Sequence, residues 1–179
     1  DWSSDVCSSD LDEWAYSEQS SLQAGVRMER ARLRVAGPTT AADARYEVLS
    51  PVLHWRQAFD AQAKDVMRVG LARSIRVPDI GLVMPRYSLN GTYDKDTTNT
   101  PIAADSAGNP QLQPEKAWAF DVNVEHYLPG GGVLSVGAFH RRIENLIRRR
   151  IALETVAEAS VPRWVSRPAN IGRAQSSGL

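Results

Sequence analysis

The chain is nearly without cysteine: Cys7 is the only one in 179 residues. It lies in Asp1–Leu11, whose string DWSSDVCSSDL is one translated frame of a common sequencing adapter, so residues 1–11 are read as an assembly artefact and set aside. Nothing then remains for a disulfide framework, a thiolate nucleophile or a cysteine metal site. Asp1, Asp5 and Asp10 leave with that segment. Acids fall from 21 to 18 against 21 bases, for a net charge of about +3. So small a charge does not give the sustained basic field that nucleic-acid binding needs. No apolar run reaches about 18 residues, so no transmembrane helix is expected. The G-x-S-x-G, H-E-x-x-H and Walker patterns are missing. His54, His126 and His140 are scattered without the close spacing of metal ligands. No catalytic residue, metal site or cofactor is therefore expected, and the ligand-binding residues stay unassigned. No leader is visible at one end, and Gln175–Leu179 carries no terminating feature, so both ends read as cut.

What the sequence does contain is alternation with period two, the signature of strands with two unlike faces. Leu22, Ala24, Val26 and Met28 stand against Gln23, Gly25, Arg27 and Glu29. The same holds for Leu49, Leu53 and Trp55 against Ser50, His54 and Arg56, and for Met67, Val69 and Leu71 against Arg68 and Gly70. It recurs for Phe120, Val122 and Val124 against Asp121, Asn123 and Glu125, and for Leu134, Val136 and Ala138 against Ser135 and Gly137. These runs predict an all-β antiparallel meander with strands near 22–34, 46–59, 66–77, 118–128, 133–147 and 163–179. The connections alternate in length. Asp60–Asp65 and the Pro129–Gly132 turn are tight, whereas Gly37–Asp43, Pro78–Glu115 and Ala152–Pro162 are longer. Short turns on one edge and long loops on the other suit a transmembrane β-barrel.

Other readings stay open on these grounds. A soluble β-sandwich shows the same alternation with its apolar face turned inward. Ala41–Phe59 and His140–Ala159 also admit helices: Phe139, Ile143, Leu146, Ile147 and Ile151 sit at helical spacing, and Glu144 to Arg148 is a favourable i,i+4 pair.

The order of several motifs resembles one family. Asn109-Pro110-Gln111-Leu112-Gln113-Pro114-Glu115 is similar to the N-P-x-L-x-P-E signature that precedes a barrel strand in TonB-dependent receptors. Asp12-Glu13-Trp14 followed by Ala24–Glu29 resembles a hairpin of that family, and Leu49-Ser50-Pro51 the start of its next strand. Arg73–Asp79 resembles R-S-x-R-R-P-D, with Val77 in place of an arginine. Pro129–Phe139 resembles the family's turn and ascending strand, and Asn170-Ile171-Gly172-Arg173-Ala174 its N-x-G-x-A.

The resemblance implies that residues 12–179 are a partial barrel domain of an outer-membrane receptor, about six strands of a plugged barrel of about 22. It implies no enzymatic activity. It implies active import of a scarce ligand (a siderophore–iron complex, cobalamin or an oligosaccharide), driven by the partner TonB acting on a plug outside this chain. Lipid and lipopolysaccharide are the further partners it implies. Trp14, Trp118 and Trp164 are candidate girdle residues. Gly25, Gly70 and Gly137 are expected to make room on the lumen face. Arg148-Arg149-Arg150, with Arg141 and Arg142 nearby, is expected at the outer rim, where guanidinium forks suit phosphates.

Overall fold

A computed structural model describes residues 2–36 and 41–179. Its elements are β1 (Trp2–Ala15), β2 (Ser20–Ala36), β3 (Ala41–Ala58), β4 (Asp65–Arg76), α1 (Ile80–Val83), β5 (Tyr87–Ser88), β6 (Asp105–Ala107), β7 (Glu115–Leu128), β8 (Gly132–Glu144), β9 (Ile147–Glu154), β10 (Arg163–Asn170) and β11 (Arg173–Gly178). Seven of them form one antiparallel wall in the order β1-β2-β3-β4-β7-β8-β11. The other four strands form a smaller sheet, β5-β6-β10-β9, in which β6 and β10 run parallel.

Cross-strand pairing keeps the two parities apart across the whole wall. One row joins Leu22, Trp55, Val69, Val122 and Ala138, and its neighbour joins Gln23, His54, Gly70 and Asp121. Because side chains alternate strictly along a strand, one face is apolar and the other polar over the half of the wall nearer the short turns. The apolar face is open: Leu134 and Val136 are 61% and 72% exposed, and among the described residues no second sheet covers them. A sandwich would bury that face, so the wall is the segment of a barrel.

The short-turn edge holds residues 16–19, 59–64 and 129–131. The Asp60 carboxylate accepts the amides of Gln62, Lys64 and Asp65 at 2.9, 3.1 and 2.8 Å, and these bonds hold its pKa below the usual carboxylate value. Gly130 and Gly131 have φ of 104° and 91°, which only glycine adopts without strain. The opposite edge carries residues 77–114 and 145–172; the tip of the expected Gly37–Asp43 loop lies outside the described residues.

β2 and β3 overshoot their neighbours, at 17 and 18 residues against 12 for β4. In the overshoot the polarity of the two faces exchanges without a break in register. Beyond Met28 and Leu49 the apolar face turns charged, with Arg30 to Glu47 at 3.2 Å and Arg32 paired to both Asp43 oxygens at 3.1 and 2.6 Å. The former polar face becomes Val48, Tyr46 and Ala44, all buried. Tyr46 and Ala44 pack with Val83 and Leu112, and the Tyr46 hydroxyl donates to the Leu112 carbonyl at 3.1 Å. The long loops therefore fold over the polar side of the wall.

Several expectations are corrected. The 163–179 strand is two, β10 and β11, broken at Gly172 (φ 145°) and placed in different sheets. The 133–147 strand ends at Glu144, because Asn145 takes φ 58° and turns the chain into β9. The helical readings of 41–59 and 140–159 give way to strands, since both segments pair edge to edge with partners that a lone helix lacks. Residues 79–114, read as one long loop, hold α1, β5 and β6.

Candidate functional site

The polar face of the wall is concave. A hollow of about 560 Å³ runs along it, floored by the Gln23–His54–Gly70–Asp121 row and the Ser21–Arg56–Arg68–Asn123 row, with Glu13 at one end. Arg141 grips both oxygens of Asp121 at 3.0 and 2.9 Å. Glu125 gathers Asn123 Nδ2 at 2.9 Å, the Tyr127 hydroxyl at 2.8 Å and Arg68 at 3.4 Å. Ser135 donates to Asn123 Oδ1 at 2.9 Å. Gly137 lies opposite Asn123, and a Cβ there would stand 3.0 Å from that oxygen. The face is a polar network that can hold another polar body by hydrogen bonds. No metal-binding cluster occurs among the described residues.

Above the hollow sits the small sheet with its flanking loops, here called the cap. Its centre is an ion pair with no solvent contact: Arg163 and Asp105 are both 0% exposed. Arg163 donates through Nε and Nη2 to Asp105 at 2.8 and 2.9 Å, and through Nη1 to the carbonyls of Asp94 (2.9 Å) and Thr97. Asp105 also accepts from the Tyr87 hydroxyl at 2.5 Å and the Asn90 amide at 2.7 Å. Every polar atom of the pair that could be orphaned has a partner, which is what makes so buried a pair tolerable. Asn99 extends the arrangement by standing in for a strand, accepting from Trp164 N at 2.6 Å and donating to Trp164 O at 2.9 Å.

The Arg163 bonds, reinforced by Asn90 and Tyr87, hold the Asp105 carboxyl at about 2. Burial and the bond to Asp105 push the Tyr87 hydroxyl above the usual tyrosine value, so it stays a donor. The folded-state value of Asp105 lies below its usual 3.8, so its stabilising effect is complete above that value and disappears as pH falls towards 2. Amide exchange in β10, corrected for its intrinsic pH dependence, is expected to rise through that window while exchange in β4 and β7 stays slow. Equal loosening of cap and wall would refute this.

The two sequence motifs meet in the cap. Asn109 donates to the Pro168 carbonyl at 3.0 Å and accepts the Gln111 amide at 2.9 Å. Leu112 is buried in the core, and Glu115 accepts the Ile147 amide at 2.7 Å. Asn170 exchanges two bonds with the Gln113 backbone, at 2.9 and 3.0 Å, and donates to the Asn145 carbonyl at 2.7 Å. A Cβ on Gly108 would overlap the Met84 carbonyl oxygen. Val77, where the family pattern has arginine, packs against the Tyr46–Leu112 core.

Of the expected residues, Trp14 and Trp118 lie on the outer apolar face, 45% and 37% exposed. Trp164 does not; it belongs to β10 in the cap. Gly70 lines the hollow, as expected of a lumen glycine. Arg148–Arg150 are exposed on β9, on the long-loop side. The Arg163–Asp105 pair escaped sequence reasoning, because its members are 58 positions apart with no local signal.

A curved antiparallel wall, apolar outside and polar inside, with turns on one edge and a folded cap on the other, defines a section of a large β-barrel. The family model "TonB dependent receptor-like, beta-barrel" matches residues 11–179, and the chain belongs to that family. Its members are outer-membrane β-barrel transporters rather than enzymes. No curated protein matches the sequence. Among solved structures it is similar to a double mutant of the Serratia marcescens hemophore receptor HasR in complex with its hemophore HasA and heme, at 19% identity and TM-score 0.64, over 97% of this chain and 31% of that one. It is also similar to the siderophore receptor PirA of Pseudomonas aeruginosa (17%, TM-score 0.54, 89% of this chain and 30% of that one). A mutant ferric enterobactin receptor, PfeA, of the same organism in complex with enterobactin is a third (16%, TM-score 0.55, 89% and 24%). The chain thus spans a third or less of the receptors it resembles.

Proposed function

We propose that this chain is wall and cap of a bacterial outer-membrane receptor that imports a scarce ligand, an iron chelate or haem, with energy delivered by TonB. The observation that carries this reading is the exchange of face polarity on β2 and β3. A strand that is apolar outside and polar inside, then charged outside and apolar inside, has crossed from lipid into water along its own length. On this reading the concave face meets the plug, the cap roofs the lumen on the extracellular side, and the chain itself catalyses nothing. The solved relatives named as haem and siderophore receptors support that ligand class. Residues 1–11 are read as foreign, which the start of the family match at residue 11 supports; β1 then pairs through backbone groups that any sequence supplies.

Sidedness tests the reading. In a complete receptor carrying these residues, Thr98→Cys in the cap should react with an impermeant thiol reagent on whole cells. Pro129→Cys, in a short turn, should react only after the outer membrane is opened. Equal labelling of the two in intact cells would overturn the topology.

A further inference from the structure

We propose that the free edge of β9 accepts an added antiparallel strand from a protein partner, an extended segment in which acidic and apolar residues alternate. β9 ends the cap sheet and pairs with β10 on one side only. Its eight residues, Ile147–Glu154, include no proline, and they keep an unbroken register with β10. The first bonds of the strand set its orientation. The Leu146 carbonyl accepts from Ile171 on the β10 side, whereas the Ile147 N–H turns away to Glu115 at 2.7 Å. The two directions alternate along an antiparallel strand, so Arg149, Ile151 and Leu153 present their N–H and C=O groups to the open edge. Such a row is a template for a further strand.

The side chains select the partner. Arg148 and Arg150 share one face of β9 and are exposed. Arg150 stands opposite Arg167, whose charge is already met at 2.8 Å by Glu154, the one acid of β9. Among the described residues no carboxylate pairs with Arg148 or Arg150. The other face carries Ile151 and Leu153, 46% and 52% exposed, with Trp164 opposite Leu153. Arg149 shares that face but is drawn across the sheet to the Ser166 carbonyl and the Ser106 hydroxyl, both at 3.2 Å, which leaves the edge clear. Charge alone at an edge keeps other strands away, but two exposed apolar side chains beside it do the opposite. A strand with carboxylates opposite Arg148 and Arg150 and apolar residues opposite Ile151 and Leu153 satisfies both faces and the backbone row together. Its apolar residues make the main-chain bonds, because directly opposed residues share a face.

The edge is present whichever ligand the receptor imports, so its test is separate from that reading. A fluorescent peptide of alternating glutamate and valine is titrated into a complete receptor carrying these residues, purified in detergent, and binding is followed by anisotropy. The peptide is expected to bind, and amide exchange at Ile151 and Leu153 should slow while that at Ala152 stays unchanged. N-methylation of the valines should weaken binding at least about tenfold, since their amides face β9, whereas N-methylation of the glutamates should be tolerated. Arg148→Glu with Arg150→Glu should also weaken it at least about tenfold and favour a lysine–valine peptide, because two favourable cross-strand charge pairs become unfavourable. A peptide of the same composition, with its glutamates and valines in two blocks, should bind no better than the valine-methylated one. Equal binding of the two methylated peptides, or of the alternating and block peptides, would overturn the site while leaving the receptor reading in place. So would failure of the alternating peptide to bind, the result expected if another loop of the receptor occupies the edge.

Discussion

Arg163→Ala is expected to cost the cap about 3–5 kcal/mol, the usual penalty for breaking a buried ion pair and stranding one charge. The size follows from Asp105, which is fully buried and would keep its charge with only Tyr87 and Asn90 to answer it. The Asp94 and Thr97 carbonyls would lose their donor as well. Limited proteolysis of a complete receptor should cut within residues 87–107 and 155–162, while the barrel keeps its heat-modifiable migration. Arg163→Lys should fall between, since it restores the charge but not the fork. In the Arg163→Ala/Asp105→Ala double variant, the loss should be smaller than the sum of the two single losses. Strict additivity would mean that the pair does not hold the cap together.

The second large effect lies in the apolar band. Val122 is on the outer face halfway between Trp118 and His126, paired with Val69 and Ala138. In the bilayer, Val122→Arg should destabilise the folded barrel by about 2–4 kcal/mol, the cost of a cation near the midplane. Gln23→Arg, on the concave face, should stay within about 0.5 kcal/mol. Urea midpoints of the receptor in liposomes measure both. Similar costs for the two, or a larger one for Gln23→Arg, would show that the faces have been assigned the wrong way round.

The centre of the wall was legible because β2, β3, β4, β7 and β8 alternate along most of their lengths, and because Asp60 and Gly130–Gly131 mark turns by local chemistry; β1 and β11, whose sequences do not alternate, were not. The cap was not. Ile143, Ile147 and Ile151 share a helical spacing by coincidence: Ile143 is on the wall's inner parity, and Ile147 and Ile151 are on β9. The sequence did hold a signal for the polarity exchange, since the apolar parity moves from even at Met28 to odd at Ala31 and from even at Val48 to odd at Leu49. Following one parity alone hides it, because the switch then reads as the end of a strand. Asp105, Arg163 and Asn99 look in sequence like ordinary solvated loop residues; only the meeting of distant segments buries them.

That meeting constrains the order of assembly. Joining Arg163 to Asp105 closes a span of 58 residues when the chain is otherwise free. Once β7 and β8 have formed their hairpin, Lys116 and Glu144 are neighbours, and the effective span falls to 11 residues on one side and 19 on the other. Loop-closure entropy favours the route in which the hairpin comes first. The cap therefore forms after the hairpin and is a reporter on the wall beneath it: during biogenesis, a chain whose cap already resists protease is one whose β7–β8 hairpin has closed.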